Sequence, residues 1–160
     1  MDSPNRKIQP VPADETFVPR VDNPVGTGRE ILGRILVVED EEQVRKPIRL
    51  NLTKAGYEVT EVANGTEAIE FLKIDHNACR VDTILCDIRM PRVNGLEAIN
   101  FFREHCPSIP VVVLTGYPDV DLAASLMRQG VEDYLVKPIT REELLSVIDR
   151  CVEQHSKSQH

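Results

Sequence analysis

The 160 residues of the chain amount to about one domain. Apolar residues make up 41% and charged residues 28%, values ordinary for a soluble globular protein. No apolar run approaches the roughly 20 residues needed to span a bilayer, and without a continuous apolar h-region at the N-terminus a secretory signal is not expected. The net charge of −7, the 4% aromatic content and the lack of Trp argue against direct nucleic-acid binding.

The N-terminal segment differs in composition from the rest of the chain. It carries five of the 11 prolines and no periodic apolar pattern, so residues 1–32 are predicted to form a disordered tail. Gly26-Thr27-Gly28 does not qualify as a nucleotide-binding loop, because no strand precedes it and a third glycine is missing. The prolines are Pro4, Pro10, Pro12, Pro19 and Pro24.

Five strands are predicted beyond residue 33. Three are continuous, largely apolar runs, which are typical of strands covered on both faces, and the fifth is a shorter candidate. The second alternates between apolar and polar residues, which predicts a half-exposed edge strand. In chain order the runs are Ile35-Leu36-Val37-Val38, the alternating stretch 57–62, Thr83-Ile84-Leu85-Cys86, Val111-Val112-Val113-Leu114 and Tyr134-Leu135-Val136.

Helical spacing fills the gaps between these strands, with recognisable ends. Asn64 with Glu67, Asn94 with Glu97, and Thr140 with Glu143 have the spacing of a capping box, and Gly56 and Gly130 are placed to end helices. Pro47 falls inside the first helix and is expected to kink it. The last helix carries an apolar stripe of Leu144, Leu145, Ile148, Cys151 and Val152.

The alternation of strand and helix predicts an α/β fold, a doubly wound parallel sheet with helices on both faces. An edge position for the second strand fits the flavodoxin-like (βα)5 order 2-1-3-4-5, in which sites form at the carboxyl ends of the strands. Cys79, Cys86, Cys106 and Cys151 show no metal-binding spacing and are interpreted as scattered buried thiols in a reducing cytoplasm, with two disulfides as the less favoured alternative. The four histidines are assigned ordinary surface or helix-end positions.

Charged and hydroxyl side chains follow four of the predicted strands. Carboxylates that lie together need a countercharge, which Mg²⁺ or a lysine supplies, and an aspartate can act as a nucleophile toward phosphorus. Such a group suits phosphoryl transfer to a carboxylate. Each signal alone has a simpler explanation, since acidic residues after a strand also cap helices. The residues are Glu39-Asp40-Glu41, Asp87, Thr115-Gly116 and Lys137-Pro138.

These stretches resemble the receiver domain of bacterial two-component response regulators. The resemblance runs from Arg34 to about Val152, and it implies a receiver domain over residues 33–154 followed by a C-terminal tail over 155–160. It is carried by Ile35-Leu36-Val37-Val38-Glu39-Asp40-Glu41, Asp87-Ile88-Arg89-Met90-Pro91-Arg92-Val93-Asn94-Gly95, Val113-Leu114-Thr115-Gly116 and Asp133-Tyr134-Leu135-Val136-Lys137-Pro138.

The resemblance assigns a role to each residue of the predicted site. It makes Asp87 the phosphoacceptor, and it makes Lys137 the contact to the phosphoryl group. Thr115 and Tyr134 become switch residues, and the Lys137-Pro138 peptide bond is expected to be cis. The implied ligands of Mg²⁺ are the side chains of Asp40 and Asp87, the Arg89 carbonyl, and Glu39 through a metal-bound water.

The implied function is that of a signalling module in a phosphorelay. A sensor histidine kinase or a histidine phosphotransfer protein donates the phosphoryl group, and the chain catalyses only its own phosphorylation and dephosphorylation. Phosphorylation shifts the population toward a conformer with an altered surface on the fourth helix, fifth strand and fifth helix. That surface addresses a downstream effector protein or an output domain, and a phosphorylation-dependent homodimer is left open.

Several alternatives remain beside this interpretation. A stand-alone regulator or phosphorelay intermediate is favoured over the receiver fragment of a longer DNA-binding transcriptional regulator. A phosphatase with an aspartate nucleophile needs a second aspartate where Arg89 stands, and scarce aromatics count against a flavodoxin-like cofactor binder. We also hypothesise that Arg89 and Tyr117 shield the acyl phosphate from water, against the alternative that both lie in solvent.

Overall fold

The computed structural model describes residues 19–23, 30–74, 76–89 and 95–158. Six strands and six helices lie in these ranges. The strands are β1 (Arg20–Asp22), β2 (Arg34–Val38), β3 (Glu58–Val62), β4 (Thr83–Asp87), β5 (Val111–Thr115) and β6 (Asp133–Val136). The helices are α1 (Glu42–Ala55), α2 (Gly65–Lys73), α3 (Asn77–Arg80), α4 (Gly95–His105), α5 (Val120–Arg128) and α6 (Arg141–Ser158).

The strands form one sheet in the order β1-β3-β2-β4-β5-β6. The last five positions are all parallel, and they reproduce the predicted order 2-1-3-4-5. The flavodoxin-like α/β prediction is therefore confirmed. Among the described residues, no helix combines the length and apolar character needed to cross a membrane.

Two apolar layers hold the helices against the sheet. Leu36 and Val38 of β2 point to the layer that α2, α4 and α5 cover, while Ile35 and Val37 point to the layer under α1 and α6. Successive strand residues face opposite sides, so a strand buried on both faces has to be apolar throughout. Each fully buried aliphatic side chain contributes about 2 kcal/mol of burial free energy. This burial fixes the strand ends at which the polar residues converge.

The N-terminal segment contributes a strand that the sequence analysis did not predict. Residues 20–22 fall in the predicted disordered tail, but they form β1, antiparallel to β3, with Arg20 opposite Glu61. The prediction is wrong for these three residues, because their pairing depends on a strand about forty residues away and leaves no local pattern. Residues 1–18 and 24–29 of the tail, including Gly26-Thr27-Gly28 and four of its prolines, lie outside the described residues.

The same pairing corrects the expectation for the second predicted strand. It was expected to be a half-exposed edge strand, whereas four of its five residues are buried. β1 covers its free edge, and arginines of α1 cover its polar residue Glu61. The alternation of apolar and polar residues in β3 therefore does not indicate exposure to solvent, because Glu61 is buried against the arginines of α1.

The C-terminal tail predicted over 155–160 is also different, since α6 continues to Ser158. His155 is buried in it, and its Nδ1 lies 3.0 Å from Asp82 Oδ1. The expectation of an ordinary surface or helix-end position is wrong for this histidine, because its helix packs against the loop before β4. Residues 159 and 160 lie outside the described ranges.

Most predicted helix ends are confirmed. Asn64 accepts a hydrogen bond from Glu67 N, Thr140 and Glu143 bond reciprocally, and Gly56 and Gly130 have φ of 113° and 98°. These angles favour glycine, since other residues are strained there. The helix α1 runs through Pro47 without interruption. The predicted cap Asn94 lies outside the described residues.

Candidate phosphoacceptor and cation site

The carboxyl ends of the central strands bring two carboxylates and a lysine together. Glu39 follows β2, Asp87 ends β4 and Lys137 follows β6. Lys137 Nζ lies 2.7 Å from Glu39 Oε1 and 3.1 Å from Asp87 Oδ2. Glu39 is 0% exposed and Asp87 is 3% exposed. Three groups that are far apart in the sequence therefore form one charged centre at this edge of the sheet, as predicted.

Burial and charge shift the proton affinities of this centre. Burial raises the pKa of Glu39 to about 7, and the Asp87 carboxylate adds to that rise while Lys137 opposes it. Burial lowers the pKa of Lys137, but the two carboxylates outweigh burial and hold that pKa above its usual value. Two buried carboxylates with one ammonium leave the centre short of positive charge.

The residues present fit a hard divalent cation. One carboxylate oxygen from each of Glu39, Asp40 and Glu41 lies within 4.8 Å of the others. Glu39 Oε1 is buried, and its cationic partner is Lys137 Nζ at 2.7 Å. Oxygen ligands with excess negative charge are what Mg²⁺ prefers. Glu41 was not predicted as a ligand, and Asp87 lies outside this group of three.

Capping of α1 does not account for the acidic residues. The N-cap residue Glu41 makes no side-chain cap hydrogen bond. Glu39 Oε2 instead accepts a hydrogen bond from Glu41 N at 3.1 Å, which folds the turn onto itself. We call residues 39–41 the acidic turn, and we call the acidic turn together with Asp87 and Lys137 the acidic site.

Arg89 lies beside the predicted phosphoacceptor. Its backbone N–H donates to Asp87 Oδ1 at 3.0 Å, which fixes the orientation of that carboxylate. Its guanidinium carbon lies 4.5 Å from the centre of the Tyr117 ring, in a cation–π contact. Both side chains are exposed, and their contact joins the loops that follow β4 and β5. The ligand role of the Arg89 carbonyl stays a prediction, and residues 90–94 lie outside the described ranges.

The two predicted switch residues are engaged elsewhere than at Asp87. The buried Thr115 hydroxyl donates to the Tyr117 carbonyl at 3.3 Å and accepts from Tyr117 N at 3.0 Å. The half-buried Tyr134 hydroxyl accepts from Asp119 N at 3.3 Å, at the start of α5. A hydroxyl that turned toward Asp87 would have to give up these bonds.

The backbone of the site has two notable features, a cis peptide bond and a pair of glycines. The Lys137-Pro138 peptide bond is cis, as expected. A Cβ on Gly95 would lie 2.2 Å from Ile88 Cα and 2.3 Å from Asp87 O, so only glycine lets α4 approach this closely. A Cβ on Gly116 would meet nothing nearer than Lys137 Cδ at 4.0 Å, which leaves open space beside the site.

A second charged cluster lies behind the acidic turn and was missed by the sequence analysis. Arg45 Nε and Arg49 Nη1 of α1 contact Glu61 Oε1 at 3.0 Å and 3.1 Å. Arginines one helical turn apart are an available signal, but nothing local indicates their partners. We call this set the arginine cluster; it comprises Arg20, Asp22, Glu42, Arg45, Arg49 and Glu61.

Known proteins are similar to this chain in sequence. The family described as the response regulator receiver domain matches residues 35–149. The regulatory protein AtoC of Escherichia coli (strain K12) is 33% identical over 125 residues, which cover 78% of this chain and 26% of AtoC. The response regulator MprA of Mycobacterium ulcerans (strain Agy99) is 38% identical over 113 residues, which cover 71% of this chain and 47% of MprA.

Solved structures give the same result. The crystal structure of a response regulator receiver domain protein from Clostridium thermocellum has a TM-score of 0.72 at 28% identity, and the match covers 79% of this chain and 98% of that one. The structure of NtrX from Brucella abortus in complex with ADP has a TM-score of 0.70 at 26% identity, over 79% of this chain and 28% of NtrX. The chain spans about a quarter of the length of AtoC and about half that of MprA.

Proposed function

Because the chain belongs to the response regulator receiver domain family, we propose that Asp87 accepts a phosphoryl group from a partner phosphohistidine. The observation that carries the proposal is the double contact of Lys137 Nζ with Asp87 Oδ2 and Glu39 Oε1. A receiver is a signalling module rather than a metabolic enzyme, and the chemistry proposed is confined to its own aspartate. This arrangement favours phosphoryl transfer over the phosphatase alternative, because Arg89 supplies no general acid.

The transfer is an in-line displacement at phosphorus. A carboxylate oxygen of Asp87 attacks, an O–P bond forms, and the P–N bond to the imidazole of the partner breaks. The imidazole leaves with the bonding electron pair. Arg89 N donates a hydrogen bond to Asp87 Oδ1, which orients the carboxylate. Lys137 Nζ contacts Asp87 Oδ2, close enough to pair with an oxygen of the incoming phosphoryl group. Positioning and charge neutralisation are the main contributions of a protein to this reaction.

Mg²⁺ is the proposed cofactor. The ligands we propose are Asp40, Asp87 and the Arg89 carbonyl, with Glu39 acting through a water. The grouping of the carboxylate oxygens of the acidic turn within 4.8 Å supports this assignment, as does the burial of Glu39 and Asp87 around a single lysine. When bound, the cation neutralises charge on the phosphoryl oxygens and on the carboxylates.

Thr115 and Tyr134 are proposed to transmit the effect of phosphorylation to the protein surface. A phosphoryl group on Asp87 offers acceptors that compete with the Tyr117 carbonyl for the Thr115 hydroxyl. The conformer in which Thr115 turns inward then becomes more populated, and Tyr134 gives up its bond to Asp119 N. Exposed apolar side chains on this face support a protein-interaction surface there: Tyr117, Val120, Met127 and Val136.

The donor protein is proposed to dock beside Lys137. A groove of about 370 Å³ lies between α1 and the start of α6. Val44, Pro47 and Ile48 line one wall, and Lys137, Pro138 and Ile139 line another. An apolar groove that ends at the phosphoacceptor contact suits a helix of a sensor histidine kinase or a histidine phosphotransfer protein. Pro47 forms part of that wall, so it shapes which partner fits.

The downstream partner is proposed to be an effector protein or an output domain, with a phosphorylation-dependent homodimer as a further form. AtoC and MprA are longer than the chain, which supports the alternative of a receiver within a larger regulator. The stand-alone form stays a prediction that the length of the open reading frame tests. The proposal also places the protein in the cytoplasm, which its four free cysteines support.

Intact mass spectrometry tests the central step. The protein is incubated with acetyl phosphate and Mg²⁺, alongside Asp87→Asn. The parent is expected to gain one phosphoryl group only when Mg²⁺ is present, and Asp87→Asn is expected to gain none, because an amide is a poor nucleophile. A chain that gains the group equally in both proteins would carry its phosphoacceptor elsewhere.

Asp82→Asn is the matched control for this test. Asp82 is a partly buried aspartate on the loop before β4, at the opposite edge of the sheet, and it contacts His155. It should take up phosphate as the parent does. Loss of phosphorylation in Asp82→Asn as well would show that any aspartate substitution disturbs the fold, and the assignment of Asp87 would then have no support.

A further inference from the structure

Arg45 connects the acidic turn to the arginine cluster. Its Nη1 donates to the Glu39 carbonyl at 2.6 Å, its Nε donates to Glu61 Oε1 at 3.0 Å, and its Nη2 donates to Glu42 Oε1 at 2.5 Å. Its side chain is only 16% exposed. Three acceptors in different directions fix both the plane and the position of a guanidinium group.

The bond to the Glu39 carbonyl acts on the backbone that carries the proposed ligands. Glu39 and Asp40 lie in the turn between β2 and α1, where Glu39 N donates to the Val62 carbonyl at 3.2 Å and Glu41 N donates to Glu39 Oε2 at 3.1 Å. Arg45 approaches the carbonyl and not the Glu39 carboxylate, so it orients the turn without neutralising its acidic side chains. It is therefore suited to position the acidic turn for a cation.

The anchor of Arg45 depends on the N-terminal strand. The Glu61 side chain is 3% exposed, and it also contacts Arg49 at 3.1 Å and Arg20 of β1 at 3.4 Å. Asp22 of β1 lies 3.0 Å from Arg20 and 4.0 Å from Arg49. In chain order β1 precedes the region matched by the family, yet it seals the edge of β3 and completes the ion pairs around Glu61.

We propose that Arg45 is a positioning residue for the cation site and that β1 holds Arg45 in place through Glu61. The segment that carries β1 thus sets how tightly the acidic turn binds Mg²⁺. This inference rests on the proposed function, since it presupposes the cation site. Displacement of β1 would expose Glu61 to water, free the Arg45 side chain and loosen the turn at Glu39.

Thermodynamic linkage gives the inference a second consequence. If β1 favours cation binding, cation binding favours the paired form of β1 by the same factor. The amides of residues 20–22 should therefore exchange with solvent more slowly when Mg²⁺ is present. A purely structural cluster would stabilise the fold without this dependence on the cation.

Calorimetric titration with Mg²⁺ tests the positioning role on the full chain. Arg45→Met is expected to lower the affinity about tenfold, because it removes a charge-assisted hydrogen bond to the acidic turn. Arg34→Met is the control, since Arg34 makes an exposed ion pair with Glu58 on the same sheet and does not contact the acidic turn. Equal affinity of Arg45→Met and the parent would overturn the proposal.

Asp22→Asn tests the part played by β1 and avoids the risk that Arg45→Met fails to fold. It is expected to lower the Mg²⁺ affinity about threefold, a smaller effect than that of Arg45→Met because it acts through Arg49 and Glu61. Hydrogen exchange followed by mass spectrometry should show Mg²⁺ slowing residues 20–22 in the parent and not in Arg45→Met. The role of β1 would be overturned if Asp22→Asn bound Mg²⁺ as tightly as the parent, or if Mg²⁺ did not change hydrogen exchange at residues 20–22 of the parent.

The outcomes separate this inference from the function on which it rests. A parent that binds Mg²⁺ and is phosphorylated, with variants that bind equally well, overturns the inference alone. A parent that binds no Mg²⁺ overturns the proposed cation site and the inference with it.

Discussion

The acidic site and the arginine cluster are two partly buried charged groups joined by Arg45, and they differ in charge balance. The acidic site has four carboxylates and one lysine. The arginine cluster has three carboxylates and three arginines. Buried charges are tolerated when they are paired, and the arginine cluster has one arginine for each carboxylate. The acidic site lacks positive charge, which is the property of a group that receives a cation and a phosphoryl donor.

The largest expected effect comes from breaking the balance of the arginine cluster. Arg49 is 6% exposed, and Arg49→Met leaves Asp22 and Glu61 close together without it. The free energy of unfolding should fall by about 3 kcal/mol, as expected when one partner of a buried ion pair is removed. Urea unfolding in the presence of EDTA measures the change. Arg34→Met, which breaks an exposed pair, should cost less than about 1 kcal/mol.

The pH dependence of that loss follows from Glu61. Burial raises the pKa of Glu61 above 4.5, the nearby Asp22 adds to the rise, and Arg45 and Arg49 oppose it. When the pKa of a carboxyl group is higher in the folded state than in the unfolded state, the free energy of unfolding falls as the pH rises above the unfolded-state pKa. Without Arg49 the pKa rises further, so the loss in Arg49→Met should be larger at pH 8 than at pH 5. A loss that is equal at both pH values would mean that Glu61 is not the responsive group.

Neutralising a carboxylate of the acidic site should raise the free energy of unfolding, whereas Arg49→Met lowers it. Asp40→Asn removes one of three carboxylates that repel each other, so the metal-free protein should become slightly more stable. Its Mg²⁺ affinity should fall about tenfold or more, because a proposed ligand is lost. Thermal unfolding with EDTA and calorimetric titration with Mg²⁺ measure the two effects.

Glu41→Gln is the matched control for Asp40→Asn. It removes a carboxylate of the same group of three that is not a proposed ligand. It should stabilise the metal-free protein in the same way and cost less Mg²⁺ affinity than Asp40→Asn. Equal losses of affinity would show that the acidic turn acts by net charge rather than through Asp40 as a ligand.

The smallest expected effect concerns Arg89 and Tyr117, which lie on the solvent-exposed side of the acidic site and have no equivalent in the arginine cluster. The Arg89 guanidinium stacks on the exposed Tyr117 ring beside Asp87. If this pair shields an acyl phosphate, Arg89→Ala and Tyr117→Ala should each speed dephosphorylation about two- to fivefold, the equivalent of one exposed cation–π contact. Decay of the phosphorylated mass with time gives the rate. Rates no faster than that of the parent would support the alternative that both side chains only lie in solvent.

The acidic site was predictable because its signals are local. Each continuous apolar run predicted a strand, and each polar residue directly after a run was placed by the rule that parallel strands end at one edge. Glu39, Asp87 and Lys137 met there as expected. The engagement of Thr115 and Tyr134 with Tyr117 and Asp119 was not predictable, because it depends on how the loops after β5 pack.

The sequence by itself determined the parallel five-stranded core, the helix ends at Asn64 and Thr140, and the chemistry of the strand ends. These follow from periodicity and short-range hydrogen bonding, which adjacent residues specify. Tertiary structure alone decided the pairing of β1 with β3, the burial of His155 and the contacts of Arg45. Each of these depends on partners from separate elements, and a hydrogen bond or ion pair between distant residues leaves no periodic trace in the chain.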